Sequence, residues 1–285
     1  MTMNPGTESI AKVPYSVGDC EIVYFCVTSL GEIGNKNILR LTVKLRAEMM
    51  SVWIKPPLNL PEIQLEDLQF FGSDVFRFDE KLPTVSLPVA MRMFLGFLQV
   101  SPKPALLVTH SPIFDSVLLV QAIIKSGLED DFDSVIAGFV DTFPMFRKKY
   151  PNLSTLKEFK LSNLMIQVLK KSPEKPKFEA TAYLEYLEEL VSVDISKSDL
   201  VKRSLTYEKA MSSEGDITAI YEMYEELEPL AQAMAQRDMR RKLNGEAEKN
   251  QAPQTKTPDL VKPFSDNDRA YEELVEIMNR DRPIY

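Results

Sequence analysis

This sequence predicts an α/β fold, a mixed sheet flanked by helices, on three observations. Three runs rich in strand-forming residues open the chain between Glu21 and Lys55. Two short apolar runs, Ala105–Thr109 and Val135–Val140, then flank one amphipathic run, Pro112–Ser126. That strand–helix–strand arrangement builds parallel sheet. Segments with apolar residues at helical spacing follow as far as Val191.

Glu21–Thr28 reads Glu-Ile-Val-Tyr-Phe-Cys-Val-Thr, and its β-branched and aromatic residues predict a strand. Gly31 and Gly34 within Ser29–Asn37 predict a turn. Ile38–Leu45 alternates Leu39, Leu41, Val43 and Leu45 with Arg40, Thr42 and Lys44, the pattern of a half-buried strand. Val52-Trp53-Ile54, within Ser51–Lys55, supplies a third strand, so an antiparallel opening of three strands is expected. Pro56, Pro57 and Pro61 end the pattern. Residues 56–87 read as a long connection that Phe70, Phe71, Phe76 and Phe78 pin to the core. Pro88–Val100 is a helix whose Val89, Met93, Phe94, Phe97 and Leu98 share one face.

In the central unit, Ser111 is read as the N-cap and Pro112 as the first helical residue, with Gly127 as the stop. Asp141–Tyr150 predicts a short helix capped by Asp141, and Leu156–Leu169 another. Ser172–Lys177 holds two prolines and reads as a loop; Phe178–Val191 is a helix. Tyr207–Leu243 is a charged helical segment interrupted at Pro229 and stopped at Asn244-Gly245. Residues 246–265 are polar and poor in apolar side chains, hence read as disordered, and Tyr271–Met278 forms a short helix on a partner. The organisation expected is a flexible leader (1–18), one folded domain (19–205), a helical extension (206–245) and a mostly disordered tail (246–285).

Composition narrows the class. The chain has 285 residues, 44% of them apolar, enough for a substantial core. A net charge of −8 gives no electrostatic advantage toward nucleic acid. Two cysteines, Cys20 and Cys26, make neither a disulfide framework nor a zinc cluster. The polar residues Met1–Lys12 lack an apolar signal core, and no apolar run approaches a membrane span. An intracellular protein without a membrane partner is expected.

The central unit is more specific than its architecture. An apolar strand, a small-residue turn, Phe114-Asp115 at a helix start and a second strand ending in Asp141-Thr142 resemble the second sequence block of the DEDDh 3′–5′ exonucleases. The resemblance covers roughly residues 20–192. It implies a ribonuclease H-like fold, which the predicted element order matches. Ile136–Pro144 and Phe159–Leu164, the latter preceded by Phe-Arg-Lys-Lys-Tyr-Pro-Asn-Leu-Ser, are similar to the exonuclease-III-like C-terminal domain of the promyelocytic leukaemia protein. That domain lacks the catalytic set, and the likeness implies a nuclear rather than a cytoplasmic site.

What the resemblance implies for chemistry can be tested position by position. The family uses two divalent cations held by carboxylates, and such hard cations require oxygen ligands. Alignment of the first strand on its apolar run and Gly31 puts Cys26 and Thr28 where the family has Asp-x-Glu. A thiol is a soft ligand and a hydroxyl brings no charge. Asp19-x-Glu21 has the right residues but lies upstream of register. Asp115 matches the third carboxylate, although an Asp in a helix's first turn is also favoured by the helix dipole alone. On the last helix, one register places Ala180 at the general-base His and Glu185 at the final Asp; another places Thr181 and Tyr186 there. His110, the only histidine, is in the second block and reads as structural.

Three functions follow as expectations. The first is a catalytically inactive, exonuclease-like domain that binds an unknown protein partner or directs nuclear targeting, with no cofactor and no metal, Asp115 being the metal ligand if any. The second is nucleic-acid binding without cleavage, weak at best, through Arg147, Lys148, Lys149, Lys157, Lys160, Lys170 and Lys171. The third is a 3′–5′ exonuclease with a magnesium or manganese site rearranged onto Asp19, Glu21, Asp115 and Glu185.

Overall fold

The computed structural model describes residues 16, 18–30, 37–56, 64–65, 68–71, 74–110, 114–153, 156–171 and 180–212. The elements run β1 (Glu21–Leu30), β2 (Asn37–Leu45), β3 (Glu48–Ile54), β4 (Gln64–Leu65), β5 (Leu68–Phe71), β6 (Asp74–Arg77), β7 (Glu80–Lys81), β8 (Thr84–Val85) and α1 (Leu87–Leu98). The chain continues through β9 (Ala105–Thr109), α2 (Phe114–Ser126), α3 (Glu129–Asp133), β10 (Ile136–Asp141) and α4 (Phe143–Lys149). A 3₁₀ turn (Leu156–Phe159), α5 (Leu161–Leu164) and a π turn (Met165–Leu169) follow. The described chain closes with α6 (Ala180–Asp194), α7 (Lys197–Lys202), β11 (Leu205–Thr206) and α8 (Tyr207–Ser212).

The main sheet has seven strands in the order β11-β10-β9-β1-β2-β3-β8. β1, β2 and β3 are antiparallel neighbours, and β9 and β10 continue the sheet parallel to β1. All five β9 residues and all six β10 residues are buried, as interior parallel strands require. α6 and α2 pack on β1 and β2, and α1 packs on β3. Gly127, at φ +61, ends α2 in the left-handed conformation that glycine adopts without penalty. The predicted cap at Ser111-Pro112 lies outside the described residues.

Several expectations need correction. Residues 56–87 are not a bare connection. β4 to β7 form a second, four-stranded antiparallel sheet, and β8 joins the main one. Its anchors are Leu68 and Val75, which pack with Leu39, Trp53 and Leu82. Phe71 and Phe78 are instead 53% and 73% exposed. On α1 the buried residues are Ala90, Met91, Phe94 and Leu98, while Val89 and Met93 face outward. Leu156–Leu169 is not one helix. Lys160 takes an extended backbone (ψ 140°) between the 3₁₀ turn and α5, and the π turn ends at Lys170 in the left-handed region. The expected boundary at residue 205 falls inside β11, and Tyr207 and Ala210 of α8 belong to the main core. The folded unit therefore reaches at least to Ser212. Most of the predicted Tyr207–Leu243 segment, residues 1–15 of the leader, and 246–285 lie outside the described residues.

Candidate functional site

β1 carries the aligned positions Cys26 and Thr28 two residues apart, so both side chains leave the same face of the strand. Both are buried. The Cys26 thiol points at α6, where its Sγ lies 3.9 Å from the Ala180 carbonyl oxygen. Ala180 is itself fully buried as the first residue of that helix. Beside them sits Asp115, 3% exposed in the first turn of α2. Its Oδ2 accepts hydrogen bonds from the Val27 backbone N–H at 3.4 Å and from the Thr109 hydroxyl at 3.2 Å. The fold thus brings together β1, the first turn of α2 and the start of α6.

The chemistry at those positions does not suit a pair of hard cations. One carboxylate is joined by a thiol, a hydroxyl and a methyl group. Glu185 is exposed. Five residues along a helix turn the side chain by roughly 140° from the Ala180 direction. Thr181 and Tyr186, the other register, are half-buried and bring no carboxylate. Among the described residues, no group of three His, Cys, Asp or Glu side chains could hold one metal ion.

Asp19 and Glu21 are not part of this cluster. They stand at the start of β1, and Asp115 meets Val27, six residues further along the strand, or about 20 Å at the usual rise. Metals acting in pairs sit only about 4 Å apart. A site that joins all four carboxylates is therefore excluded by geometry. Asp19 accepts a hydrogen bond from the Ser16 N–H at 2.9 Å, and this contact with Ser16 lowers its pKa. Glu21 pairs with Arg46 at 2.9 Å, and the guanidinium holds its carboxyl below the usual range.

His110, at the end of β9, is 5% exposed. Its Nε2 lies 2.8 Å from the Phe159 carbonyl oxygen, and its Nδ1 lies 2.9 Å from the Thr142 hydroxyl. A carbonyl can only accept, so Nε2 carries the proton and donates to Phe159; the Thr142 hydroxyl beside Nδ1 donates to the Thr109 carbonyl oxygen at 3.0 Å. The extended backbone at Lys160 is what leaves the Phe159 carbonyl available. Phe143 and Phe146 stand beside the imidazole, with ring centroids 6.0 and 5.6 Å away. Burial holds its pKa down to about 4, opposed by the smaller effect of the Phe159 hydrogen bond. Tyr183 of α6 donates its hydroxyl to the His110 carbonyl at 2.7 Å, tying that helix to the same corner.

Asp141, the last residue of β10, accepts the Phe143 N–H at 2.9 Å, but the N-cap of α4 is Thr142, one residue later than expected. The partners Thr109, Thr142 and Tyr183 were not singled out from sequence. The only sequence signal for the two threonines is that each adjoins a candidate, His110 or Asp141.

The proposed basic groove is partly neutralised. Lys149 pairs with Asp194 at 2.7 Å and Lys171 pairs with Glu189. Arg147, Lys148 and Lys170 are exposed, Lys160 is half-buried, and the Lys157 side chain lies outside the described set. No described helix is long and apolar enough to cross a membrane.

No protein-family model matches the chain, and no curated protein matches it. Among solved structures it is similar to a 3′-exonuclease in 3′-end-specific recognition of a histone mRNA stem-loop. That match has TM-score 0.44 and 10% identity, covering 64% of this chain and 65% of that one. It is also similar to product-bound exonuclease I, with TM-score 0.42 and 11% identity over 62% of this chain and 44% of that one. A third match is the yeast NOT1 MIF4G domain co-crystallised with CAF1, with TM-score 0.39 and 12% identity over 62% of this chain and 81% of that one. The chain spans less than two thirds of the first two. By the order and direction of its strands, the chain has a mixed α/β fold, with antiparallel β1, β2 and β3 and parallel β1, β9 and β10 in one helix-flanked sheet.

Proposed function

We propose that this chain is an exonuclease-like domain without working two-metal chemistry, which acts through protein interaction in the nucleus. The observation that supports the reading best is the company Asp115 keeps. The positions aligned with the family's other ligands and its general base hold Cys26, Thr28 and Ala180, all buried, with the Cys26 thiol against the Ala180 carbonyl. A thiol donated to a backbone carbonyl is not a ligand for magnesium, and no imidazole stands where a water must lose its proton. The likeness of 136–144 and 159–164 to the promyelocytic leukaemia protein domain supports the nuclear site.

Magnesium and manganese titrations that follow thermal stability test this reading. A cation that binds the native state raises the melting temperature by mass action. The expected result is no shift into the millimolar range and no nucleotide release from labelled single-stranded DNA or RNA. A shift that Asp115→Asn removes, with metal-dependent release, would overturn the reading.

A further inference from the structure

The second sheet ends in a hairpin that is built against the usual rules. Arg77 pairs with Glu80, so Phe78 and Asp79 form a two-residue turn. Both have positive φ, +49° and +64°, which is the type I′ geometry that Asn-Gly or Asp-Gly adopts readily. A phenylalanine there is a strained choice, because a bulky side chain is disfavoured at positive φ. The ring gains no burial in return, for it is 73% exposed. Its recorded neighbour is the Arg77 guanidinium, 5.3 Å from the ring centroid. On the same sheet Phe71 is 53% exposed and meets Phe76 edge to face, with centroids 5.5 Å apart. Strain at the tip and an exposed ring on it have no explanation within the fold.

We propose that the β6–β7 hairpin is a docking element in which Phe78 inserts into an apolar pocket of a protein partner whose rim is basic. Exposed aromatics with an adjacent arginine are the residue types that anchor interfaces. The sign of the rim follows from the tip. Asp79 and Glu80 are exposed beside Phe78, and among the described residues neither carboxylate has a hydrogen-bond or ion-pair partner. These two carboxylates repel phosphates, on a chain of net charge −8, which disfavours a nucleic-acid strand as the occupant. The inference rests on the interaction half of the proposed function and not on the loss of catalysis.

The test uses the full chain, a phage-displayed random peptide library and three proteins: wild type, Phe78→Asn, and Asp79→Asn with Glu80→Gln. Asparagine tolerates the positive φ, so Phe78→Asn removes the ring without disturbing the turn. The expected result is enrichment of peptides that combine Lys or Arg with large apolar residues. Their binding should fall roughly thirtyfold in Phe78→Asn, the loss typical of a truncated anchor. The double variant should bind more weakly and lose the salt dependence. Melting temperature should be unchanged or higher in Phe78→Asn. A lower melting temperature would overturn the inference, because Phe78 would then be holding the fold. No enriched peptide, peptides without basic residues, or binding indifferent to Phe78→Asn would also overturn it. So would binding of an oligothymidine probe that Phe78→Asn abolishes. None of these outcomes bears on the metal titration at Asp115, so the two readings fail separately.

Discussion

The thiol of Cys26 lies 3.9 Å from the carbonyl oxygen of Ala180 and joins β1 to the start of α6. Under the proposed reading these are the positions aligned with a metal ligand and the general base. Here they are in contact, so restoring a carboxylate means placing charge in a packed interior.

Cys26→Asp is therefore expected to destabilise the metal-free protein by about 2–3 kcal/mol, since a buried carboxylate would face a carbonyl acceptor. For a unit of this size the melting temperature should fall by roughly 5–10 °C. Manganese should recover part of that loss in the variant and leave the wild type unmoved. Melts with and without manganese read both effects.

Asp115→Asn probes the carboxylate that accepts the Val27 N–H and the Thr109 hydroxyl. The amide keeps one acceptor of similar shape but loses the charge that strengthens both bonds. A loss of roughly 1–3 kcal/mol in urea unfolding is expected. The loss should be the same with and without divalent metal.

His110 sets a pH dependence whose sign is fixed by its burial. Its pKa is about 4 when folded, against an ordinary value of 6.5. The unfolded chain therefore binds a proton that the folded one refuses. Stability should be complete above about pH 6.5, fall as pH drops toward 4, and lose no more from this residue below that. The whole contribution is roughly 3 kcal/mol. His110→Gln should flatten that part of the profile in denaturant unfolding measured from pH 7 to pH 4.5.

Gly138→Ala should be among the most damaging single changes. A Cβ there would stand 2.4 Å from the Leu205 carbonyl oxygen, a backbone atom that cannot swing aside. Separation of β11 from β10 is expected, at about 2 kcal/mol or more. Hydrogen exchange at the Leu205 and Thr206 amides should accelerate before the rest of the sheet is affected.

The strands and the central unit were legible because their patterns are local. Alternation along Ile38–Leu45 and the apolar runs at β9 and β10 need no knowledge of the rest of the chain. The helix face at Val89 and Met93 was misread because Ala90 and Met91 offered an equally apolar face, and only packing against β3 and α2 chooses between them. The second sheet was missed because its strands are two to four residues long, too short for a period to register. β11 has two residues and is held by Gly138, so its signal lay some seventy positions away from itself. At the site, the alignment singled out Cys26, Asp115 and Ala180 because each belongs to a recognisable element, Cys26 within β1 and the other two in the first turns of α2 and α6. It could not place the Thr142 and Phe159 contacts of His110: the first comes from just past the end of the neighbouring strand β10, and the second precedes the helix interruption at Lys160.

The pairing of β10 with β11 also has a consequence for the birth of the protein. Asp141 and Leu205 are 64 positions apart. At a synthesis rate of about 5–20 residues per second, β10 waits on the order of 3–13 s for its neighbour to be made. Through that interval the nascent sheet carries an open hydrogen-bonding edge, the kind that recruits strands from other chains. Polysomes that bear several copies of the unfinished chain would hold such edges side by side. The two-residue strand that completes the sheet is thus a closing step in time as well as in space.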